Sequence, residues 1–241
     1  MGSETRYHHY ILSACVLIGL ALNARASDTE TRDWQAFYGE QGLQFEVVRN
    51  GKPVGDYTTT FEQSGDQLIV ETEMNLDITV LWLLHYRYQY RGREVWQEGS
   101  LQSVTSNISD NGKTTGLSLK RLGNELTGMG PTGPVTVPAG ILPTHHYNAA
   151  VINHEAVLNT LTGKVNQVSI EPLSAEQVRT GERSRRAVRY RYTGELHDTD
   201  AWYDEQGRWV KLLFKGSDGS DIELVCQQCG GEESSTGSLS G

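Results

Sequence analysis

The chain has 241 residues, 26 of them glycine and 11 tyrosine, with a formal net charge of −9. That length suits one sizeable domain or two small ones, and the composition is that of a globular protein rich in residues that favour strands and turns. The acidic balance gives no ground for nucleic-acid binding, and beyond the first segment no apolar run reaches the length of a membrane span.

The first segment reads as an address. Ile11 to Leu22 is a short apolar core and Ala24-Arg25-Ala26 an A-x-A-like cleavage site. Together they predict a secretory signal peptide over residues 1–26 and a mature chain in the periplasm or medium. Leu12-Ser13-Ala14-Cys15 offers a competing lipoprotein processing box, disfavoured because most of the apolar core follows the Cys. Of three cysteines, Cys226 and Cys229 then remain, an even count that permits a disulfide in an exported protein.

Ser27 to Gly42 is a polar lead-in with Trp34, Phe37 and Tyr38 as anchors and room for one helical turn. Leu43, Phe45 and Val47 alternate with polar residues as a first strand, and Asn50-Gly51 is a hairpin signal because both residues tolerate positive φ. Val54 to Phe61 is its partner. Next comes the longest alternation in the chain: Leu68, Val70, Thr72, Met74, Leu76, Ile78 and Val80 on one face, mostly polar residues on the other. At about 3.3 Å per residue this strand spans roughly 40 Å, so it needs neighbours throughout and implies a large curved sheet. Leu81, Trp82 and Leu83 break the alternation, which predicts a bend or bulge. Leu84, Tyr86, Tyr88 and Tyr90 form the next strand, with Gly92 and Gly99 read as punctuation before strands at Val95-Trp96 and Leu101 to Ile108. Asn111-Gly112 is a second hairpin, leading to Thr115–Leu119 and then Leu126–Met129.

Gly130 to Pro143 is rich in Gly and Pro and cannot be helix or central strand. Thr144 to Asn159, with apolar residues at 149, 152 and 156 and Thr144 as N-cap, is the one extended helix the pattern predicts. Strands resume at Val165 to Ile170, Ser174 to Gly181 reads as a loop or helical turn, and strands follow at Val188–Gly194, Ala201–Asp204, Trp209–Phe214 and Ile222–Val225. Residues 27–229 therefore form a single β domain, and the Gly/Ser/Glu-rich residues 230–241 a disordered tail. The predicted fold is all-β: a large curved antiparallel sheet of about ten to twelve strands, a partly open barrel or roll, one end closed by the helix and the Pro/Gly segment.

Sites are sparse. His145-His146, with His154 eight residues on, could supply imidazoles, but adjacent histidines point apart and carboxylates at metal-ligand spacing are lacking; a structural role is favoured over metal binding. Cys226-Gln227-Gln228-Cys229 follows a strand, so a structural disulfide is favoured over a redox or metal site. Arg183, Arg185, Arg186, Arg189 and Arg191 could meet anions, but a solvated strand face paired with carboxylates such as Glu195 or Glu223 is favoured. Tyr86, Tyr88 and Tyr90 form an aromatic ladder that could line a ligand cavity or simply pack. Nucleophile elbows, phosphate loops and dinucleotide fingerprints are absent from the sequence.

Several blocks together carry a resemblance. They are Phe45-Glu46-Val47 with Asn50-Gly51-Lys52-Pro53-Val54-Gly55, Glu94-Val95-Trp96-Gln97-Glu98-Gly99-Ser100-Leu101, Asn111-Gly112-Lys113, Pro143-Thr144, Leu158 to Gly163, and Trp202-Tyr203-Asp204 through Leu213-Phe214. Over about Phe37 to Val225 the chain resembles an uncharacterised family of exported proteobacterial β-rich proteins, domain of unknown function 6134. The resemblance implies export and a single β domain and carries no catalytic residues; the Cys pair and the tail lie outside its pattern.

The expectation is an exported, non-catalytic carrier or binder of a lipid or other amphiphile, with no cofactor and no metal. Its ligand face would be Leu68, Val70, Met74, Leu76, Ile78, Tyr86, Tyr88 and Tyr90. The alternatives are an envelope protein that works through a protein partner without a small ligand, and an enzyme using His145 or His146 on an amphiphilic substrate.

Overall fold

The computed structural model describes residues 32–80 and 84–230. The signal-peptide and Cys15 readings, the Leu81–Leu83 bend and the tail beyond Gly230 lie outside them. One five-residue helix, α1 (Trp34–Tyr38), precedes fifteen strands: β1 Leu43–Arg49, β2 Lys52–Ser64, β3 Gln67–Val80, β4 Leu84–Gln97, β5 Ser100–Asp110, β6 Lys113–Leu122, β7 Glu125–Gly130, β8 Gly133–Pro138, β9 Leu142–Pro143, β10 Ala156–Leu158, β11 Val165–Thr180, β12 Arg183–Gly194, β13 Thr199–Asp204, β14 Trp209–Lys215 and β15 Asp221–Cys229. All fifteen join one sheet in the order β8-β7-β6-β5-β4-β3-β2-β1-β15-β14-β13-β12-β11-β10-β9. Every neighbouring pair is antiparallel except β9 with β10. The two predicted hairpins form as read: Asn50 and Gly51 have φ of 48° and 78°, Asn111 and Gly112 of 47° and 89°.

Topology fixes the curl. The sheet's two edge strands, β8 and β9, are joined by only Ala139–Ile141, a connection that reaches about 14 Å at full extension. The edges must therefore approach each other. The contacts agree: a Cβ placed on Gly163, in the β10–β11 turn, would lie 3.0 Å from Leu117 of β6 and from Val135 of β8. β8 carries Pro134 and Pro138, which offer no N–H, so this edge resists further pairing.

The concave side holds the core. Phe45, Tyr57, Val70, Val104, Leu119, Trp209 and Leu224 are buried there from strands all round the sheet. Helix α1, capped by Asp33 Oδ1 accepting from Ala36 N at 2.9 Å, brings Trp34 and Tyr38 into stacks with Phe61 at 5.9 and 5.3 Å. Aromatic burial of this size dominates the packing of such an interior.

Four expectations are corrected. Thr144–Asn159 forms no α-helix; it supplies a 3₁₀ turn at Ala149–Asn153 and strand β10. Its Tyr147, Val151, Val157 and Leu158 are all buried, and a segment wedged among several walls cannot confine its apolar groups to one helical face. Ser174–Gly181 is mostly strand, because β11 bulges between Pro172 and Ala175 and continues beside β12. Gly92 is no turn: β4 runs through it to Gln97. Among the described residues the sheet has fifteen strands rather than ten to twelve, because β8, β9 and β10 add short pieces too brief for a clear alternation.

Candidate functional site

Strands β3 and β4 carry the predicted ligand face, and their pairing keeps it on one side: Leu68 faces Trp96, Val70 Glu94, Thr72 Gly92, Met74 Tyr90, Leu76 Tyr88 and Ile78 Tyr86. The structure divides this set. Val70 and Tyr90 are buried, and Leu68 packs against the core beside them. Met74 and Leu76 are half-buried against the same core, and Ile78, Tyr86 and Tyr88 are half-buried outside it. Beyond Leu76, which pairs with Gly55, β3 has no further partner on β2, and beyond Tyr88, which pairs with Asp110, β4 has none on β5. The β3–β4 ribbon thus projects past its neighbours. Desolvation first, then the carboxylate of Asp110, push the Tyr86 phenol up to about 12; desolvation and the neighbouring Tyr86 do the same for Tyr88.

The other end of the same face holds a polar cluster. Glu94 is 1% exposed and His145 8%. One Glu94 oxygen meets Nδ1 of His145. The other accepts from Tyr147 Oη at 2.6 Å and from Trp96 Nε1 at 2.8 Å. Nε2 of His145 lies 2.7 Å from Tyr90 Oη, which bonds Thr160 Oγ1 at 3.0 Å. Ser106 Oγ donates to the Thr160 carbonyl at 2.6 Å. Tyr90 Oη donates to Thr160 Oγ1, so the contact between Tyr90 and His145 is donated by Nε2 of the ring. Burial holds the Tyr90 and Tyr147 phenols well above their usual range, with the Glu94 charge adding to it.

Small residues make room for this cluster. Thr59, Thr72, Gly92 and Ser106 align across β2 to β5 on the inner face. A Cβ on Gly92 would sit 2.6 Å from Tyr90 Oη and 3.0 Å from its ring carbons, so the glycine is the notch in which the phenol lies. The pocket among Glu94, Trp96, Leu142, Pro143, His145, Tyr147, Asn148 and Val151 leaves no room for a water-sized sphere.

His146 points the other way from His145, as adjacency requires. Its Nδ1 is 3.2 Å from Tyr192 Oη, its ring 5.3 Å from Trp209, and its carbonyl accepts from Tyr203 Oη at 3.0 Å. Burial, then repulsion from His145, push its pKa down to about 3. His154 follows the 3₁₀ turn and caps Val151 through its N–H. Among the described residues no group of three or more metal-ligating side chains converges.

The remaining predicted residues are spread elsewhere. Cys226 and Cys229 are joined within β15 and buried, beside Phe45 and Leu43 in the ladder. The arginine stripe of β12 pairs with carboxylates other than those expected: Arg189 and Arg191 hold Asp200, Arg185 reaches Asp204 at 3.3 Å and Arg186 reaches Glu205 at 3.3 Å. Glu223 is held by Lys211 instead. Desolvation opposes ionisation of Asp200, but the two arginines outweigh it and hold its carboxyl below the usual range.

Sequence reasoning missed Glu94, Thr160, Ser106 and Tyr147. A signal for Glu94 was present: the parity of Tyr86, Tyr88 and Tyr90, carried through Gly92, puts a carboxylate on the apolar face. Reading Gly92 as a turn discarded that parity.

A family model described as a domain of unknown function, DUF6134, matches residues 45–227. The chain belongs to that family. The match spans β1 to β15 and includes both the Glu94 strand and the His145 segment. Among solved structures, the chain is similar to the "beta-barrel-like protein of domain of unknown function DUF1849" from Brucella abortus, with a TM-score of 0.53 and 8% identity over 78% of this chain and 96% of that one. That likeness concerns the barrel-like fold alone. No curated protein matches the chain.

Proposed function

We propose that this family member is an exported, non-catalytic binding protein that takes a lipid or other amphiphile on the outer half of its β3–β4 inner face. The observation that carries the reading is the division of that face: Ile78, Tyr86 and Tyr88 stay half-exposed and outside the core at the end where the ribbon outruns its neighbours, while Leu68, Met74 and Leu76 pack against the core. An apolar face left half-exposed suits the apolar body of an amphiphilic ligand. The Ile11–Leu22 apolar core and the Ala24-Arg25-Ala26 site support export.

An enzymatic reading through His145 gains an orienting partner in Glu94, but its pocket has no space for substrate. His146 is likewise turned into packed aromatics.

The test is mass spectrometry of an organic extract from protein purified natively from the envelope. An amphiphile near one per chain, lost in Ile78→Ser/Tyr88→Ser, is expected. A folded but empty wild-type protein overturns the reading in favour of a protein partner, sought by pull-down. N-terminal sequencing should find Ser27 first; a lipid-modified Cys15 would replace simple export by membrane anchoring.

A further inference from the structure

The stretch over residues 145–154 crosses the interior. It meets Glu94 and Tyr90 of β4 on one side and Tyr192 of β12, Tyr203 of β13 and Trp209 of β14 on the other, and β4 stands six places from β13 in the sheet. Among the described residues, its backbone–backbone hydrogen bonds are made only within itself: Val151 N to Asn148 O and His154 N to Val151 O. It is held to the walls by side chains. These are Tyr38 Oη donating to the Tyr147 carbonyl at 2.7 Å, Tyr203 Oη to the His146 carbonyl, and the Glu94 cluster. A segment without ladder bonds, ended at Thr144 and Glu155 by bonds to β10 and β11, can open without breaking a strand pairing, at the cost of uncovering Val151 and the Tyr147 ring that packs on Trp34 and Phe61.

Opening would change what Glu94 meets. Trp96 sits on the same strand and stays, but the donors from His145 and Tyr147 leave. One carboxylate oxygen is then unmatched on the inner face, a costly state unless another donor arrives. A ligand that donates there would hold the strap open.

We propose that residues 145–154 are a releasable strap and that Glu94, uncovered on release, anchors an amphiphile whose polar end donates hydrogen bonds, such as a primary amine. This rests on the amphiphile reading above and narrows its ligand class. The strap is an internal stand-in: His145 gives Glu94 the nitrogen donor that the ligand's head would give.

The probes are dodecylamine and dodecanoate below their aggregation limits, titrated calorimetrically into the mature protein, with hydrogen exchange of the strap amides followed in parallel. Dodecylamine should bind about tenfold or more tighter than dodecanoate, as loss of one charge-assisted hydrogen bond implies, and Glu94→Gln should erase the preference. Tyr90→Phe keeps Glu94 and the ring but removes the hydroxyl that reaches His145 and Thr160. It should raise both strap exchange and amine affinity several-fold, because less of the opening remains to be done by the ligand. Strap amides that exchange only as slowly as those of β4, or equal amine affinity in wild type and Glu94→Gln, overturn the proposal. Equal binding of both probes, unaffected by Glu94→Gln, overturns the anchor and leaves the amphiphile reading standing; binding of neither probe overturns both.

Discussion

Strands β3 and β4 pair without interruption from Gln67 with Gln97 to Val80 with Leu84, yet the two ends of this ribbon sit in different surroundings. At the Val70–Glu94 end, α1 and the strap close over the inner face, and even a carboxylate and an imidazole are sealed in. At the Ile78–Tyr86 end the alternation is as regular, but no neighbouring strand continues beside it and the side chains stay half-exposed. Alternation alone does not say which end is core. Burial follows from what crosses the sheet, and here that is a segment more than fifty residues further along the chain. The closed half is where truncations should cost the most stability, and the open half is where they should leave the fold intact while emptying the proposed amphiphile site.

The largest contrast should come from paired truncations. Trp209→Ala removes a fully buried indole from the closed half and should lose about 3–5 kcal/mol of stability by denaturant titration. Tyr88→Ala in the open half should lose under about 1 kcal/mol while abolishing amphiphile binding. Equal losses would erase the division. Next, Glu94→Ala leaves the His145, Tyr147 and Trp96 donors without their acceptor and should cost about 3–5 kcal/mol.

Gly92→Ala sharpens the boundary between the halves. Its methyl would press on a phenol pinned at both sides, and overpacking of this kind costs about 1–3 kcal/mol. Exchange should rise in the strap before it rises in β3; a silent Gly92→Ala would mean that the Tyr90 seat is loose.

Titration provides two smaller effects, both confined to the closed half. His146, depressed to about 3 by burial, binds a proton more readily in the unfolded chain. Its contribution is full above the ordinary histidine pKa and drains away as pH falls from about 6.5 toward 3, at up to about 1.4 kcal/mol per pH unit. His146→Phe should flatten that part of the stability profile. At alkaline pH the sign reverses. Tyr57, raised to about 12 mainly by burial, and the more strongly shifted Tyr90, Tyr147, Tyr192 and Tyr203 keep their protons in the fold but lose them near 10 when unfolded. Stability should therefore fall as pH rises above about 10, and their phenolate absorbance should appear together with unfolding. Independent titration of these phenols in the folded protein would show the closed half to be wet.

The sequence by itself determined the class of object. Period-2 alternation from Leu43 to Met129 and the Asn50-Gly51 and Asn111-Gly112 turns specify antiparallel hairpins, because side-chain direction in a strand and positive φ in a two-residue turn are local properties. It also placed His145 and His146 beside Pro143 and left their role open. What it could not reveal was the partner of His145, since Glu94 lies fifty-one residues away and meets it only when the sheet curls and the strap crosses. Nor could periodicity describe residues 144–159, whose apolar groups answer to several walls at once. Local geometry is written residue by residue; a buried polar network exists only where distant walls come together and exclude water, and that was decided by the tertiary structure.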